Sequence, residues 1–281
     1  MIKKGNAILP SVTIEAEYRR SIRVIILELH KAVVSLLKEG YANEPEFGYA
    51  MDGQVPVSFQ MKQKDLQTKF DKILSTAGRI AAERFLEKQV QYASRAFIRS
   101  IKPFTDTPEG KSLMLKGATL EPVNYAYAEK VIEENVKLIR SIGSKYFTRI
   151  QKQVAASMSS GGGGEKQLIA ELLKIRGVAE RQAKLIAKDQ TAKLTGQLTV
   201  ERMKKAGIHK AMWNHSSAGR VPREYHITRW DGHSEPPNGL DGYIFEIDNP
   251  PIIDKKTGER GFPSTLINCR CYSTPVIELM D

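Results

Sequence analysis

The sequence predicts an α+β protein: a mostly helical N-terminal part with long helices, followed by a C-terminal module of helices plus a small antiparallel sheet. Three observations predict this. Apolar residues recur at three- and four-residue spacing from Ile14 to about Ala206, as they do on helices that bury one face. From Ile208 the pattern changes to short β-prone runs separated by Gly, Pro and Asn clusters. Between these regimes the run SSGGGG at 159–164 interrupts the helical periodicity, as a flexible linker does. The expected organisation is a helical N-terminal domain over 1–158, a Gly-rich linker over 159–164 and an α+β module over 165–281.

Residues 1–14 read as irregular, with Pro10 and a short β-prone run. A first helix is expected from about Ile14 to Lys38, with Ile22, Ile25, Ile26, Leu29, Val33 and Leu36 on one face and Gly40 at its end. The stretch 39–58 is rich in Gly, Pro, Asn and Asp and reads as a connection. A long helix follows from about Gln60 to Ile101. Leu66, Phe70, Ile73, Ala77, Ile80, Leu86, Val90, Ala93 and Phe97 form its apolar stripe, and Gly78 allows a bend. After a break at 102–124, Asn124 is placed to cap a third helix from Tyr125 to about Met158. Beyond the Gly-rich run come a short helix at Glu165–Ile175, a turn at Gly177 and a helix over about Ala179–Ala206. In that last helix Leu185, Leu194, Leu198 and Met203 are the apolar face, and Asp189, Gln190 and Thr191 are a polar interruption. IHKAMWNHS, GYIFEI and NCRCYSTPVI read as strands.

The chain has 281 residues, 41% hydrophobic and 27% charged, an ordinary balance for a globular protein. No apolar run approaches the roughly 20 residues a membrane span needs, and no signal peptide is read at the N-terminus. A reducing compartment is therefore expected, and Cys269 and Cys271, two residues apart, are poorly spaced for a disulfide. The net charge of +11 favours polyanionic partners. Lys62, Lys69, Lys72, Arg79, Arg84 and Arg95 on the long helix are candidate contacts to DNA phosphates; the plainer reading is the solvated face of a bundle. No Gly-Lys-Ser/Thr follows the glycines at 161–164, so a nucleotide-binding loop is excluded.

The residues LIAKDQTAKLTGQLTVERMKKAGIHKAMWNHS, GRVPREYH, LDGYIFEIDNPP and INCRCYSTP, taken in that order, resemble the phage Mu F-like head-morphogenesis family. The resemblance covers about Ala179 to Ile277, roughly the C-terminal third. It implies a minor structural protein of a tailed-bacteriophage head, located in the virion and in the host cytoplasm during assembly. Such a protein associates with the portal protein and with the major capsid or scaffolding protein. It acts in head morphogenesis and in DNA packaging or ejection. The basic balance is compatible with non-specific contact to double-stranded DNA, and no membrane partner is expected. No third orienting group and no oxyanion-hole glycine pattern accompany the cysteines, so no enzymatic activity is expected. The matching motif positions are Asp189, Gln190, Trp213, Arg223, His226, Leu240, Asp241, Gly242, Asn268, Cys269, Arg270 and Cys271. Two departures stand out: Ser217, Ala218 and Gly219 occupy positions where the family commonly has an acid, and a segment with His233 separates His226 from Leu240.

Residues two apart on a strand face the same side, so the sulfurs of Cys269 and Cys271 can converge. With His226, and His233 or His215 as a fourth donor, they have the composition of a tetrahedral Cys2His2 zinc site. Zinc is the one cofactor such a set would take. The alternative is two reduced core thiols, with His226 hydrogen-bonded to a loop carbonyl. A zinc-dependent enzyme acting on nucleic acid or peptide through His226, Cys269 and Cys271 is the competing functional class. Arg223 and Arg270 are expected to organise loops by forked hydrogen bonds to carbonyls or to Asp241 or Asp248. Trp213 is expected in the core, and Trp230, in a loop, has the better position for a contact residue.

Overall fold

A computed structural model describes residues 2–43, 57–106, 108, 110–112, 124–159, 164–216 and 222–278. Residues 160–163 of the SSGGGG linker, most of the connection at 39–58 and the departure at Ser217, Ala218 and Gly219 lie outside the described residues. The chain begins with strand β1 (Ile2–Lys4) and helix α1 (Val12–Asn43). Helix α2 (Val57–Ile101) runs into a 3-10 turn at Lys102–Phe104, and helix α3 spans Tyr125–Ser159. Helix α4 (Gly164–Ala206) leads to strand β2 (Lys210–Asn214) and the single-turn helix α5 (Glu224–Ile227). The short strands β3 (Ile244–Glu246), β4 (Ile252–Asp254) and β5 (Glu259–Arg260) precede strand β6 (Tyr272–Glu278).

These elements pack into two compact units, each drawing on separate parts of the chain. One comprises Met1–Glu15, Glu87–Asn124 and Lys188–Asp281; the other comprises Ala16–Leu86 and Tyr125–Ala187.

The second unit is helical. Its part of α1 buries Ile22, Ile26, Leu29, Val33 and Leu37, the i, i+4, i+7 face that the periodicity predicts, with Leu37 turned inward rather than Leu36. On α2 the apolar stripe is corrected. Phe70, Leu74, Ala81, Ala82, Phe85 and Leu86 are buried, whereas Ile73 and Ile80 are about half exposed. Both sets fit helical spacing, and packing chose between them: Leu74 fills the space at Gly143 of α3, where an added Cβ would lie 2.3 Å from its Cδ1. Two buried polar pairs stitch α1 to α3: Tyr18 donates to Asn135 at 2.8 Å, and His30 Nδ1 lies 2.7 Å from the Tyr146 hydroxyl. The Tyr18 ring also stacks on Phe85 at 4.1 Å.

The first unit holds a four-stranded sheet, ordered β1-β6-β2-β3 and antiparallel throughout, together with a β4-β5 hairpin. The expected small antiparallel sheet is thus present, but its edge comes from the N-terminus: Ile2 pairs with Glu278 and Lys4 with Val276. Residues read as irregular become a strand because β6 offers them an unpaired edge. Behind the sheet lies a core of Phe97, Ile101, Val200, Met203, Ile208, Ala211, Trp213, Leu240 and Phe245.

Helix α4 is another correction. A short helix, a turn at Gly177 and a second helix were expected; one continuous helix of 43 residues is observed. A glycine inside a helix costs only about 1 kcal/mol relative to alanine, which tertiary packing easily offsets. Leu185 is exposed, and part of the polar interruption is buried: Gln190, Thr191, Thr195 and Thr199 all face inward. Thr195 donates to Thr191 O at 2.7 Å and lies 3.3 Å from Gln89 Oε1, so the buried hydroxyl is satisfied.

Candidate metal centre

His226 sits on α5, a single turn beginning after Arg223, and is 3% exposed. Its Nε2 lies 2.8 Å from the carbonyl oxygen of Ile253 on β4. A carbonyl can only accept, so Nε2 carries the proton and, in the neutral ring, Nδ1 presents a lone pair. That nitrogen faces Cys269 Sγ at 3.6 Å and Cys271 Sγ at 3.9 Å. Trp213 packs edge-on against the imidazole, with centroids 5.1 Å apart, and fixes the plane of the ring. Both cysteines are 5% exposed and reduced.

The sulfurs converge for a reason other than the expected one. Cys269 and Cys271 precede β6 rather than lying on it, in the segment that leaves a turn at Ile267–Asn268. Asn268 has φ +60°, and its amide donates to Asp189 Oδ1 on α4 at 2.6 Å. Cys269 N–H donates to Leu266 O at 3.0 Å, and the Ser264 hydroxyl donates to Cys271 O at 2.7 Å. Gly196 on α4 lets the 263–264 loop lie close, since an added Cβ would come within 2.8 Å of Pro263 O. The closing motif is therefore clamped from both sides.

The Leu240–Gly242 motif holds the opposite wall. Asp241 Oδ1 accepts the backbone N–H of His215 at 2.9 Å, and its Oδ2 accepts from Arg229 at 3.3 Å. Gly242, at φ +82°, donates to Trp213 O at 2.8 Å. Arg223 donates to the Ile267 carbonyl at 3.2 Å, the loop-organising contact that was expected of it. Asp241 pairs with Arg229, however, and Asp248 pairs with Lys204 at 3.0 Å, so neither acid serves Arg223.

The electrostatics couple the two thiols. The hydrogen bond from Cys271 holds Cys269 well below the ordinary thiol range. The same hydrogen bond, together with burial, pushes Cys271 up. Two sulfurs and an imidazole nitrogen make a soft donor set.

Among the described residues, His226, Cys269 and Cys271 are the group whose ligand atoms all lie within 4.8 Å of one another. His233 is not brought to them. It is exposed, on a loop organised by Asp231, whose Oδ1 accepts from the backbone amides of His233 at 3.0 Å and Ser234 at 2.8 Å. The Ser234 hydroxyl also donates to Asp231, and these bonds hold the Asp231 carboxyl down at about 2. His215 lines the cavity at the cluster, a feature that sequence spacing could not distinguish from His233. Trp213 is fully buried, as expected, while Trp230 donates to Ser234 O at 3.2 Å and packs edge-on against Tyr243, which makes it part of the loop's own structure.

The candidate phosphate contacts fall in both units. Lys62, Lys69, Lys72, Arg79 and Arg84 are exposed in the second unit, and Arg95 is exposed in the first. Arg79 is committed to acids, bonding both carboxylate oxygens of Glu129 at 2.8 and 3.0 Å and pairing with Glu83 at 2.8 Å.

Residues 148–274 match the family model described as Phage Mu protein F like protein. This stretch is similar to Mu F-like proteins. The matched residues include the Asp189–Asn268 clamp and the thiol–imidazole cluster. A similar chain is an uncharacterized protein of Haemophilus influenzae (strain ATCC 51907 / DSM 11121 / KW20 / Rd), 35% identical over 144 residues. That alignment covers 51% of this chain and 28% of the relative, so the matched region spans little more than a quarter of the relative's length. No solved structure matches the chain. No described helix is long and apolar enough to cross a membrane.

Proposed function

We propose that this chain is a minor structural protein of a tailed-phage head. It docks on the portal or the capsid during assembly, contacts packaged double-stranded DNA without sequence preference, and is a component of the virion. The observation that carries this reading is the Mu F-like match over 148–274. The geometry of the cluster supports a structural rather than an enzymatic role. Its three side chains are at most 5% exposed, which leaves the two sulfurs and the ring turned away from solvent. The motif residues Asp189, Trp213, Asp241, Gly242 and Asn268 spend their hydrogen bonds and packing on holding loops in place. DNA contact is supported by the net charge of +11 and by the exposed Lys62, Lys69, Lys72 and Arg84.

Two assays test this reading. Virions of the parent phage, banded and stripped of loosely bound protein, should contain the chain at low copy, and it should co-purify with the portal when the two are co-expressed. Absence from both would overturn the virion assignment. Binding to a random-sequence duplex should weaken steeply between 50 and 200 mM salt, on the order of 10³-fold or more for six or more phosphate contacts. Changing Lys62, Lys69 and Lys72 to Glu should lower the salt slope by about 3 if each neutralises one phosphate. Salt-independent binding, or none, would remove the DNA part.

A further inference from the structure

The geometry points to a structural zinc site of Cys2His2 type in the first unit, with His226, Cys269 and Cys271 as preformed ligands and His215 as the fourth. It stands apart from the virion reading and would hold whatever partner the protein has.

The argument begins with distances. A tetrahedral zinc has Zn–S of about 2.3 Å and Zn–N of about 2.0–2.1 Å, so neighbouring donor atoms sit about 3.5–3.8 Å apart. The separation from His226 Nδ1 to Cys269 Sγ, 3.6 Å, lies within that range, and the 3.9 Å to Cys271 Sγ is about 0.1 Å beyond it. With the sulfurs within 4.8 Å of each other, the three donors need only small shifts to form one face of a tetrahedron. The remaining ring nitrogen of His226 gives its proton to a backbone carbonyl at 2.8 Å, the outer contact that fixes a ligating histidine in the correct tautomer.

His215 completes the set. It follows β2 directly and lines the same cavity as His226, Cys269 and Cys271. Its Nδ1 is buried and, among the described residues, has no hydrogen-bond partner. A buried imidazole nitrogen without a partner beside two thiols is an unmet ligand position. Its backbone is anchored by the hydrogen bond to Asp241, which holds the residue at the cavity.

Charge selects the metal and its coordination. Arg223 and Arg270 border the cavity, which disfavours a site that gains net positive charge. Two thiolates and two neutral imidazoles around one Zn²⁺ sum to zero, and binding releases the thiol protons to solvent. Thiolate and imidazole donors favour zinc over magnesium or calcium, which take oxygen.

The test uses the whole 281-residue chain, purified without chelator. Elemental analysis should give about one zinc per chain, as a closed four-ligand site requires. Exchange with cobalt(II) should give the intense visible bands of a four-coordinate ion and a thiolate-to-cobalt charge-transfer band. The chain has only these two cysteines, so thiol titration of the native protein reads this site alone. Both thiols should be protected until a chelator is added. His215→Ala should lower zinc affinity by at least about 10-fold, and His233→Ala should leave it unchanged. A wild-type chain without zinc and with no cobalt spectrum would overturn the site, independently of whether any variant folds. Wild-type affinity and an unaltered cobalt spectrum in His215→Ala would overturn the fourth ligand.

Discussion

Asp189 Oδ1 accepts the backbone N–H of Asn268 at 2.6 Å, joining the middle of α4 to the turn that launches the closing motif, 79 residues later in the chain. A short hydrogen bond to a carboxylate is among the stronger kinds, and this one holds a residue in the left-handed region. Asp189→Ala should therefore destabilise the first unit by about 1.5–3 kcal/mol, measured by denaturant unfolding. Asp189→Asn, which keeps an acceptor oxygen, should recover part of that. Equal losses in the two variants would show that the charge, rather than the acceptor, is what matters.

Gly242 at φ +82° permits the turn whose amide reaches Trp213 O, and an added Cβ would lie 2.8 Å from the Arg229 guanidinium. The left-handed conformation costs an L-residue about 1–2 kcal/mol. Gly242→Ala should lower stability by about that amount, and urea unfolding with an unchanged m-value would confirm an intact fold.

The Tyr18 hydroxyl donates to Asn135 in the helical unit, where both residues are buried. Tyr18→Phe leaves the Asn135 oxygen without that donor and should cost about 1–3 kcal/mol. A loss below a few tenths of a kcal/mol would mean that water replaces the hydroxyl.

His30 gives the helical unit a pH dependence. Burial, and then the charge of Arg176, lower its pKa below the ordinary 6.5, with Glu180 acting in the opposite direction. The unfolded chain therefore takes up this proton before the folded one does. Stability from this group is fully present above about pH 6.5 and is lost as pH falls below it toward the folded value. Thermal melts between pH 7.5 and 5 should show the decline, and His30→Phe should flatten it relative to wild type. An unchanged slope would assign the effect to other groups.

Much of the fold was legible because helical periodicity is a local property. The stripe on α1 identifies its buried face, with Leu37 in place of Leu36. The closing motif was legible as a cluster of cysteines near histidines, and its match to the Mu F-like family extends to residue 274. Where two local patterns were equally good, the sequence could not choose. Ile73 and Leu74 both fit a helical stripe on α2, and the space beside Gly143 selected Leu74. Gly177 looked like a turn because its intrinsic cost is visible in sequence, while the packing that offsets it is not.

The sequence by itself determined the first three long helices, the switch to short strands after Ile208 and the identity of three converging donors, because these depend on spacing between near neighbours. Only the tertiary structure decided the rest. It paired Ile2 with Glu278, committed Arg79 to Glu129, placed His215 rather than His233 at the thiols, and clamped Asn268 with Asp189. Each of these joins residues far apart in the chain, and such contacts form only when burial of the intervening core offsets the entropy of closing the loop between them.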